Sequence, residues 1–404
     1  MKKEKKNPSR DLSSLKVALA HDYLREYGGA ERVLEALHRL FPDAPVYTAF
    51  VDEDALGASW QKFADWDIRQ SWITRIPGYK KLFSPLRLFS PSYFSSFDLS
   101  EYDVVISSTN AYFSKAVRVP HGVHLCYCHT PSRSLYGYTT AGNWKKNPVV
   151  RFFGELINHY LRIKDFEIAQ QVDVFIANSD ETKRRIKKFY RRNSVVIYPP
   201  VKTPNKKNHK KSKKNDTPYY LYVNRLALAK HPELAVAVAN TLKLPLKVVG
   251  TGPMMPELQA LAGPTIELLG FVDDKQLARL YAGATALLYP VEDEDFGMVP
   301  VEAMMHGVSV IAHNSGGPKE TVIDGITGVL FDELTETGLI AAIVRFQETS
   351  FSAGDIQQHG QVYSAAEFEK KMRMQISLRQ PADRNDGLGV ACAVAFLDKL
   401  ANQT

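Results

Sequence analysis

Glu294 and Glu302 stand eight positions apart in EDFGMVPVE (294–302), on either side of a Phe-Gly pair. The apolar run TALLYP (285–290) suits a buried strand, and MVPVEAMMHG (298–307) suits a helix with Pro300 in its first turn and Gly307 as its stop. That pattern puts Glu294 in a loop and Glu302 inside the helix. A helix start presents unpaired N–H groups and a partial positive charge, both of which favour a phosphate. Carboxylates beside it would repel a phosphate but accept hydrogen bonds from neutral hydroxyls. A ligand that is both phosphate and sugar fits the combination; an isolated pair of glutamates at this spacing would more commonly be two solvated charges.

The longer element EDFGMVPVEAMMHGVSVIA resembles the donor-site signature of the retaining family 4 glycosyltransferases, which have the two-domain GT-B fold. The resemblance implies that Glu294 touches the transferred sugar and Glu302 the nucleotide ribose, with Phe296, Gly297, Met298 and Val299 beside the donor. NRLALAK supplies Arg225 and Lys230 at the family's Arg-x4-Lys spacing. A planar guanidinium fork and an ammonium point charge both suit the oxygens of a departing diphosphate. By the same resemblance Gly250 and Gly252 of VGTGP line the nucleotide pocket, and Phe271 and Val272 of GFVDD flank the base. Gly28 and Gly29 of EYGGAER precede a helix, so their loop can bring backbone N–H groups to a ligand. His129 in CYCHTPSRSLY directly follows a strand and precedes a turn-forcing proline, where the family keeps a histidine beside the donor sugar.

HDYLREYGGAERVLEAL, FDLSEYDVVISS and CYCHTPSR are similar to the mannosyltransferase-like branch of that family, which builds bacterial surface polysaccharide such as O-antigen or exopolysaccharide. The branch implies a hexosyltransferase carrying mannose from GDP-mannose to a hydroxyl of a glycan or lipid-linked saccharide, with no cofactor and no metal. A sugar-nucleotide epimerase, a glycosyl phosphorylase or a noncatalytic sugar-nucleotide-binding protein could share the layout, but none accounts as well for Arg-x4-Lys together with EDFGMVPVE. The chain departs from the family pattern in its lysine-rich linker and its indistinct C-terminus.

These residues need a scaffold, and the sequence predicts one of α/β class: GT-B, two Rossmann-like domains with parallel sheets facing each other across a cleft. Strands are expected at KVALA (16–20), VYTAF (46–50), DVVISS (103–108), HLCYC (124–128), DVFIANS (173–179) and SVVIY (194–198), with helices at 31–40, 151–171 and 181–190. The alternation restarts at YYLYVN (219–224), LKVVG (246–250), TIELLG (265–270), TALLYP, SVIAH (309–313) and GVLF (328–331), with helices from Pro232, Pro256, Asp274 and Met298. Alternating strands and helices imply parallel sheets covered on both faces, with ligands bound beyond the carboxyl ends of the strands. The expected organisation is a basic flexible tail (1–14), an acceptor-side domain (15–198), a linker (199–217), a donor domain (218–365) and C-terminal helices (366–404) that could return to the first domain.

At 404 residues, 45% hydrophobic and 24% charged, the chain is long enough for two globular domains. The net charge of +7 is concentrated in residues 1–10 (five basic, one acidic) and 202–216 (seven lysines, one aspartate), so subtracting +4 and +6 leaves about −3 for the rest. This argues against a nucleic-acid partner and leaves two basic segments that are either simply solvated or attracted to an anionic membrane surface. Trp72, Phe83, Phe89 and Phe94 mixed with Arg75, Lys80, Lys81 and Arg87 suit a lipid interface or, equally, a helical excursion packed on the first domain. No apolar run reaches the roughly 20 residues of a membrane helix and no signal peptide is visible, so the expected location is cytoplasmic, with peripheral attachment to the inner face of the cell membrane as an option. Cys126, Cys128 and Cys392 read as reduced thiols.

Overall fold

A computed structural model describes residues 12–138, 148–203 and 218–378. The basic start, most of the lysine-rich linker, Cys392 and the path of residues 382–404 lie outside the described residues. The first sheet contains β1 (Val17–His21), β2 (Val46–Thr48), β3 (Ile68–Gln70), β4 (Val104–Thr109), β5 (Val123–Cys128), β6 (Val174–Ala177) and β7 (Ser194–Val196), in the order β3-β2-β1-β4-β5-β6-β7. The second contains β8 (Tyr219–Val223), β9 (Leu246–Val249), β10 (Ile266–Gly270), β11 (Ala284–Tyr289), β12 (Ser309–His313) and β13 (Gly328–Phe331), in the order β10-β9-β8-β11-β12-β13. Parallel pairing with helical crossovers makes these the two Rossmann-like sheets of a GT-B fold.

Each strand of the second sheet feeds two cores because successive side chains point to opposite faces. Tyr220, Tyr222, Leu246, Val248, Ala286 and Leu288 pack with the helices Pro232–Leu242 and Glu336–Glu348. Tyr219, Leu221, Val223, Leu287 and Tyr289 pack with Tyr281 and with Val301, Ala303 and Met304 of the helix Met298–Met305. Burial on both faces explains why the strands read as unbroken apolar runs.

The described chain forms two compact units, one of residues up to Cys128, Ile163–Ile176 and from Glu369 onward, the other of His129–Arg162 and Ala177–Phe368. In the first unit Glu369 accepts a hydrogen bond from Arg39 Nε at 3.1 Å. The stretch 71–94 is a packed excursion of that unit. Trp72 meets the buried Tyr93 edge-on at 5.7 Å, Phe83 lies under the Arg25 guanidinium at 4.3 Å, and Phe94 is buried. Only Leu82 and Phe89 among its large apolar side chains are exposed. Cys126 and Cys128 are buried in β5, and burial pushes the Cys126 thiol up to about 12.

The strand order of the first sheet reverses direction between β1 and β4, and the residue after β1 ties the two strand ends together. Asp22 Oδ2 accepts the N–H groups of Asn110 (2.7 Å), Ala111 (2.6 Å) and Tyr112 (2.9 Å), and its Oδ1 accepts that of Ser114 (2.9 Å). Burial would raise this carboxyl, but the N–H donors and His21 hold it below the usual aspartate range. Replacing Asp22 with Ala strands these donors and is expected to cost on the order of 3 kcal/mol in urea unfolding, through loss of charge-assisted hydrogen bonds. A loss well under ~1 kcal/mol would contradict this role.

Candidate functional site

The order of the second sheet reverses between β8 and β11, so the loops leaving these neighbouring strands open a crevice at their carboxyl ends. The β8 loop carries Arg225 and Lys230; the β11 loop carries Glu294 and runs into the helix Met298–Met305. Lys230 Nζ forms an ion pair with Glu294 Oε2, 64 residues away in sequence. Burial pushes the Glu294 carboxyl upward, yet Lys230, with help from Arg133 and the Tyr289 hydroxyl, brings it below its ordinary value. Glu294 is therefore an ionised acceptor at neutral pH. Arg225 is exposed in the same loop as Lys230.

Glycine lets the neighbouring loops close on this point. A Cβ on Gly250 would lie 1.8 Å from Asn224 O, just before Arg225, and its φ of +134° favours glycine. On the other side, a Cβ on Gly316 would lie 2.2 Å from Glu294 O, and Gly317 N–H donates to that same oxygen at 2.8 Å. Glu302 receives the Tyr281 hydroxyl at 3.2 Å. The structure thus gathers Arg225, Lys230, Gly250, Gly252, Glu294 and Gly297 on loops at the carboxyl ends of β8, β9 and β11.

Other expected residues have different surroundings. Phe296 is buried against Tyr198 and Tyr363, so its backbone is what it can offer a ligand. Met298 and Val299 pack against the same core, while Phe271 is 82% exposed and Val272 is half-buried. His129 is buried after β5, and its carbonyl accepts the Thr182 hydroxyl at 3.0 Å. In the first unit Gly28 caps the helix Gly29–Leu40, its N–H donating to Glu31 Oε2 at 2.8 Å while Glu31 Oε1 lies 3.4 Å from His21 Nε2.

Sequence reasoning passed over the residues that hold the Glu294 loop. Arg133 donates to Asp293 O at 2.9 Å and to Asp295 Oδ1 at 3.1 Å. Arg185, almost completely buried, also binds the Asp295 carboxylate and donates to Asp293 O at 3.1 Å and Glu181 Oε1 at 3.0 Å. Ser179 caps the helix Asp180–Tyr190 and donates its hydroxyl to Asp295 O at 2.5 Å. Burial raises the Asp295 carboxyl above its ordinary value even with both guanidinium groups beside it. The overlooked signal was the acid run Glu292-Asp293-Glu294-Asp295 behind an apolar strand. The members of such a run that the fold takes out of water require cations from elsewhere, here Lys230 for Glu294 and Arg133 with Arg185 for Asp295.

Residues 204–360 match the family described as Glycosyl transferases group 1, and residues 27–204 match Glycosyltransferase Family 4. The chain is a homologue of the GT-B glycosyltransferases. It is 38% identical over 111 residues to a GDP-mannose-dependent alpha-mannosyltransferase of Mycolicibacterium smegmatis, a match covering 28% of this chain and 29% of that protein. The chain thus spans less than a third of that relative's length. Among solved structures, the lipopolysaccharide outer core galactosyltransferase WaaB superposes with a TM-score of 0.65 at 17% identity, covering 90% of this chain and 99% of that one. HepE of Anabaena, solved with UDP and glucose, superposes with a TM-score of 0.64 at 19% identity, covering 90% and 99%. At these identities the two structures speak to fold alone.

Next to the site of this GT-B homologue, Glu320 accepts the N–H groups of Asp180 (2.8 Å) and Glu181 (3.3 Å). Burial outweighs these donors and pushes its carboxyl up to about 7. The folded form therefore holds an extra proton between the ordinary value of 4.5 and about 7, so this group's contribution to stability falls as pH rises through that window. The expected result is that wild type loses thermal stability relative to Glu320→Gln between about pH 4.5 and pH 7. A difference independent of pH would refute the assignment.

Proposed function

We propose that the chain is a retaining glycosyltransferase that moves mannose from GDP-mannose to a hydroxyl of a glycan or lipid-linked saccharide, at the inner face of the cell membrane. The observation that carries the transferase reading is the Lys230–Glu294 pair at the switch point of the second sheet, between the β8 loop and a helix start. There a cation for phosphate and an ionised acceptor for sugar hydroxyls lie in contact, the pairing a nucleotide sugar requires. The branch resemblance and the GDP-mannose-dependent relative support the choice of donor.

In this reading Arg225, Lys230 and the N-terminus of the helix Met298–Met305 stabilise the leaving diphosphate, Glu294 orients the transferred sugar, and Glu302 holds the ribose. Gly250 and Gly252 line the nucleotide pocket, with Phe271 and Val272 at the base. Phe296, Gly297, Met298 and Val299 border the donor through the turn and first helical residues. His129 contacts the donor sugar, and Gly28 and Gly29 bring backbone N–H groups to the donor. The acceptor hydroxyl approaches the anomeric carbon from the face of the departing phosphate. The bond from that carbon to phosphate oxygen breaks as the bond to acceptor oxygen forms, and the proton passes to the phosphate. Positioning and fixed charge carry such a reaction without a protein nucleophile.

Lys230→Ala and Arg225→Ala are each expected to lower turnover about a hundredfold or more while the fold persists. Unchanged turnover in both variants would refute the phosphate assignment, and donor binding without transfer to any acceptor would favour a noncatalytic sugar-nucleotide-binding protein. Thermal unfolding with GDP, UDP and their sugars separates the donors, since a ligand bound by the folded form raises the midpoint. Stabilisation by GDP-mannose above the UDP-sugars is expected; the reverse order would replace mannose from GDP with a UDP-linked hexose.

A further inference from the structure

Asp293, the residue before Glu294, has a left-handed backbone with φ of +54°, a region that residues other than glycine populate sparsely and keep only where their surroundings enforce it. Here the enforcement comes from both sides. The Asp293 N–H donates to Ser315 Oγ at 3.0 Å, and its carbonyl accepts from Arg133 Nη1 at 2.9 Å and from Arg185 Nη2 at 3.1 Å. Its carboxylate makes no hydrogen bond or ion pair among the described residues, so what is held is the backbone. The next two residues are fastened as well: Glu294 O accepts the Gly317 N–H at 2.8 Å, and Asp295 O accepts the Ser179 hydroxyl at 2.5 Å.

Ser315 can accept from Asp293 only while its own hydroxyl proton points elsewhere, and His313 fixes that direction. His313 ends β12 and is buried, with Nε2 3.1 Å from Asp332 O and Nδ1 2.8 Å from Ser315 Oγ. A carbonyl only accepts, so Nε2 carries the proton of the neutral ring and Nδ1 accepts from the Ser315 hydroxyl. That leaves a lone pair of Ser315 Oγ for the Asp293 N–H. The line is braced at its far end, where Asn314 N–H donates to Phe331 O at 2.8 Å and Asn314 Nδ2 to Asp332 Oδ1 at 2.7 Å. Hydrogen bonds thus run from the carboxyl end of β13 through that of β12 to the loop after β11, and stop one residue short of Glu294. We infer that His313 and Ser315 are positioning residues for Glu294: they hold the left-handed turn at Asp293 that aims the glutamate carboxylate at Lys230. Neither is hydrogen-bonded to Lys230 or to the Glu294 carboxylate, so they act through the backbone. Their role presupposes that Glu294 orients the transferred sugar, as proposed above, because a small misplacement of such a group costs rate.

The test measures release of nucleoside diphosphate from GDP-mannose, or from UDP-glucose should that donor stabilise the fold more. Alongside it runs the thermal shift by the nucleoside diphosphate alone, which lacks the sugar that Glu294 orients. Ser315→Ala is expected to lower kcat about tenfold or more, with KM and the nucleotide shift close to wild type. Ser315→Thr should restore most of that loss, since its hydroxyl can take the same place. Glycine adopts a positive φ without strain and a β-branched residue resists it, so Asp293→Gly should keep kcat within about threefold while Asp293→Val loses as much as Ser315→Ala. Unchanged kcat in Ser315→Ala, even with a lowered thermal midpoint, would make the contact purely structural and overturn the inference, as would equal losses in Asp293→Gly and Asp293→Val. Glu294→Gln separates the two levels. A large loss there with none in Ser315→Ala removes the positioning role alone, whereas near-wild-type turnover of Glu294→Gln, or no release by wild type, overturns the proposed reaction as well.

Discussion

Four consecutive carboxyl groups, Glu292 to Asp295, follow a strand buried on both faces, and the surrounding structure is arranged to tolerate them. Burial raises the affinity of Glu294 and Asp295 for protons, and the charge of Glu294 raises that of Asp295 further. Arg133, Arg185 and Lys230 answer it from three separate segments. The distribution is uneven. Lys230 belongs to Glu294, which stays ionised below its ordinary value, while Asp295 shares two guanidinium groups and is still raised. One acid of the run is thus tuned as an acceptor, and its neighbour anchors the loop that presents it.

That arrangement depends on close backbone approach. Gly250 against Asn224 and Gly316 against Glu294 leave no room for a side chain, so the β8, β9, β11 and β12 loops meet at one place. The strand order supplies the place, since β8 and β11 are adjacent while their crossovers run in opposite directions. The first sheet solves the equivalent problem with Asp22, which replaces a glycine contact by a carboxylate accepting four N–H groups. The two switch points therefore differ in chemistry. The first is closed by hydrogen bonds within the chain, and the second concentrates charge.

Much of the fold was legible because both sheets are built from apolar runs bounded by glycine, proline or charge. Nearly every strand expected from the sequence lies within a residue or two of its position, and the helices from Pro232, Asp274 and Met298 start where their first-turn residues place them. The short β3 escaped notice, because Ile68-Arg69-Gln70 is a half-exposed edge strand with a single apolar residue. The excursion at 71–94 shows a different limit: composition suited a lipid interface and a packed motif alike, and ring contacts such as Trp72 with Tyr93 turn much of its aromatic surface inward. Exposed apolar side chains lie at 152–163 as well, where sequence showed only a long helix.

The sequence by itself determined two rounds of strand and helix, the glycine-containing loops after the strands, and the spacing of Arg225 with Lys230 and of Glu294 with Glu302, because periodicity and turn chemistry are local. It also located the positive charge in the tail and linker, which needs only counting. The tertiary structure alone decided that Lys230 meets Glu294, that Arg133 and Arg185 converge on Asp295, and which helix face is left uncovered. These partners are separated by 64 to 162 residues. No local preference encodes such a pairing; it exists only once parallel strands bring their carboxyl ends to one edge of the sheet.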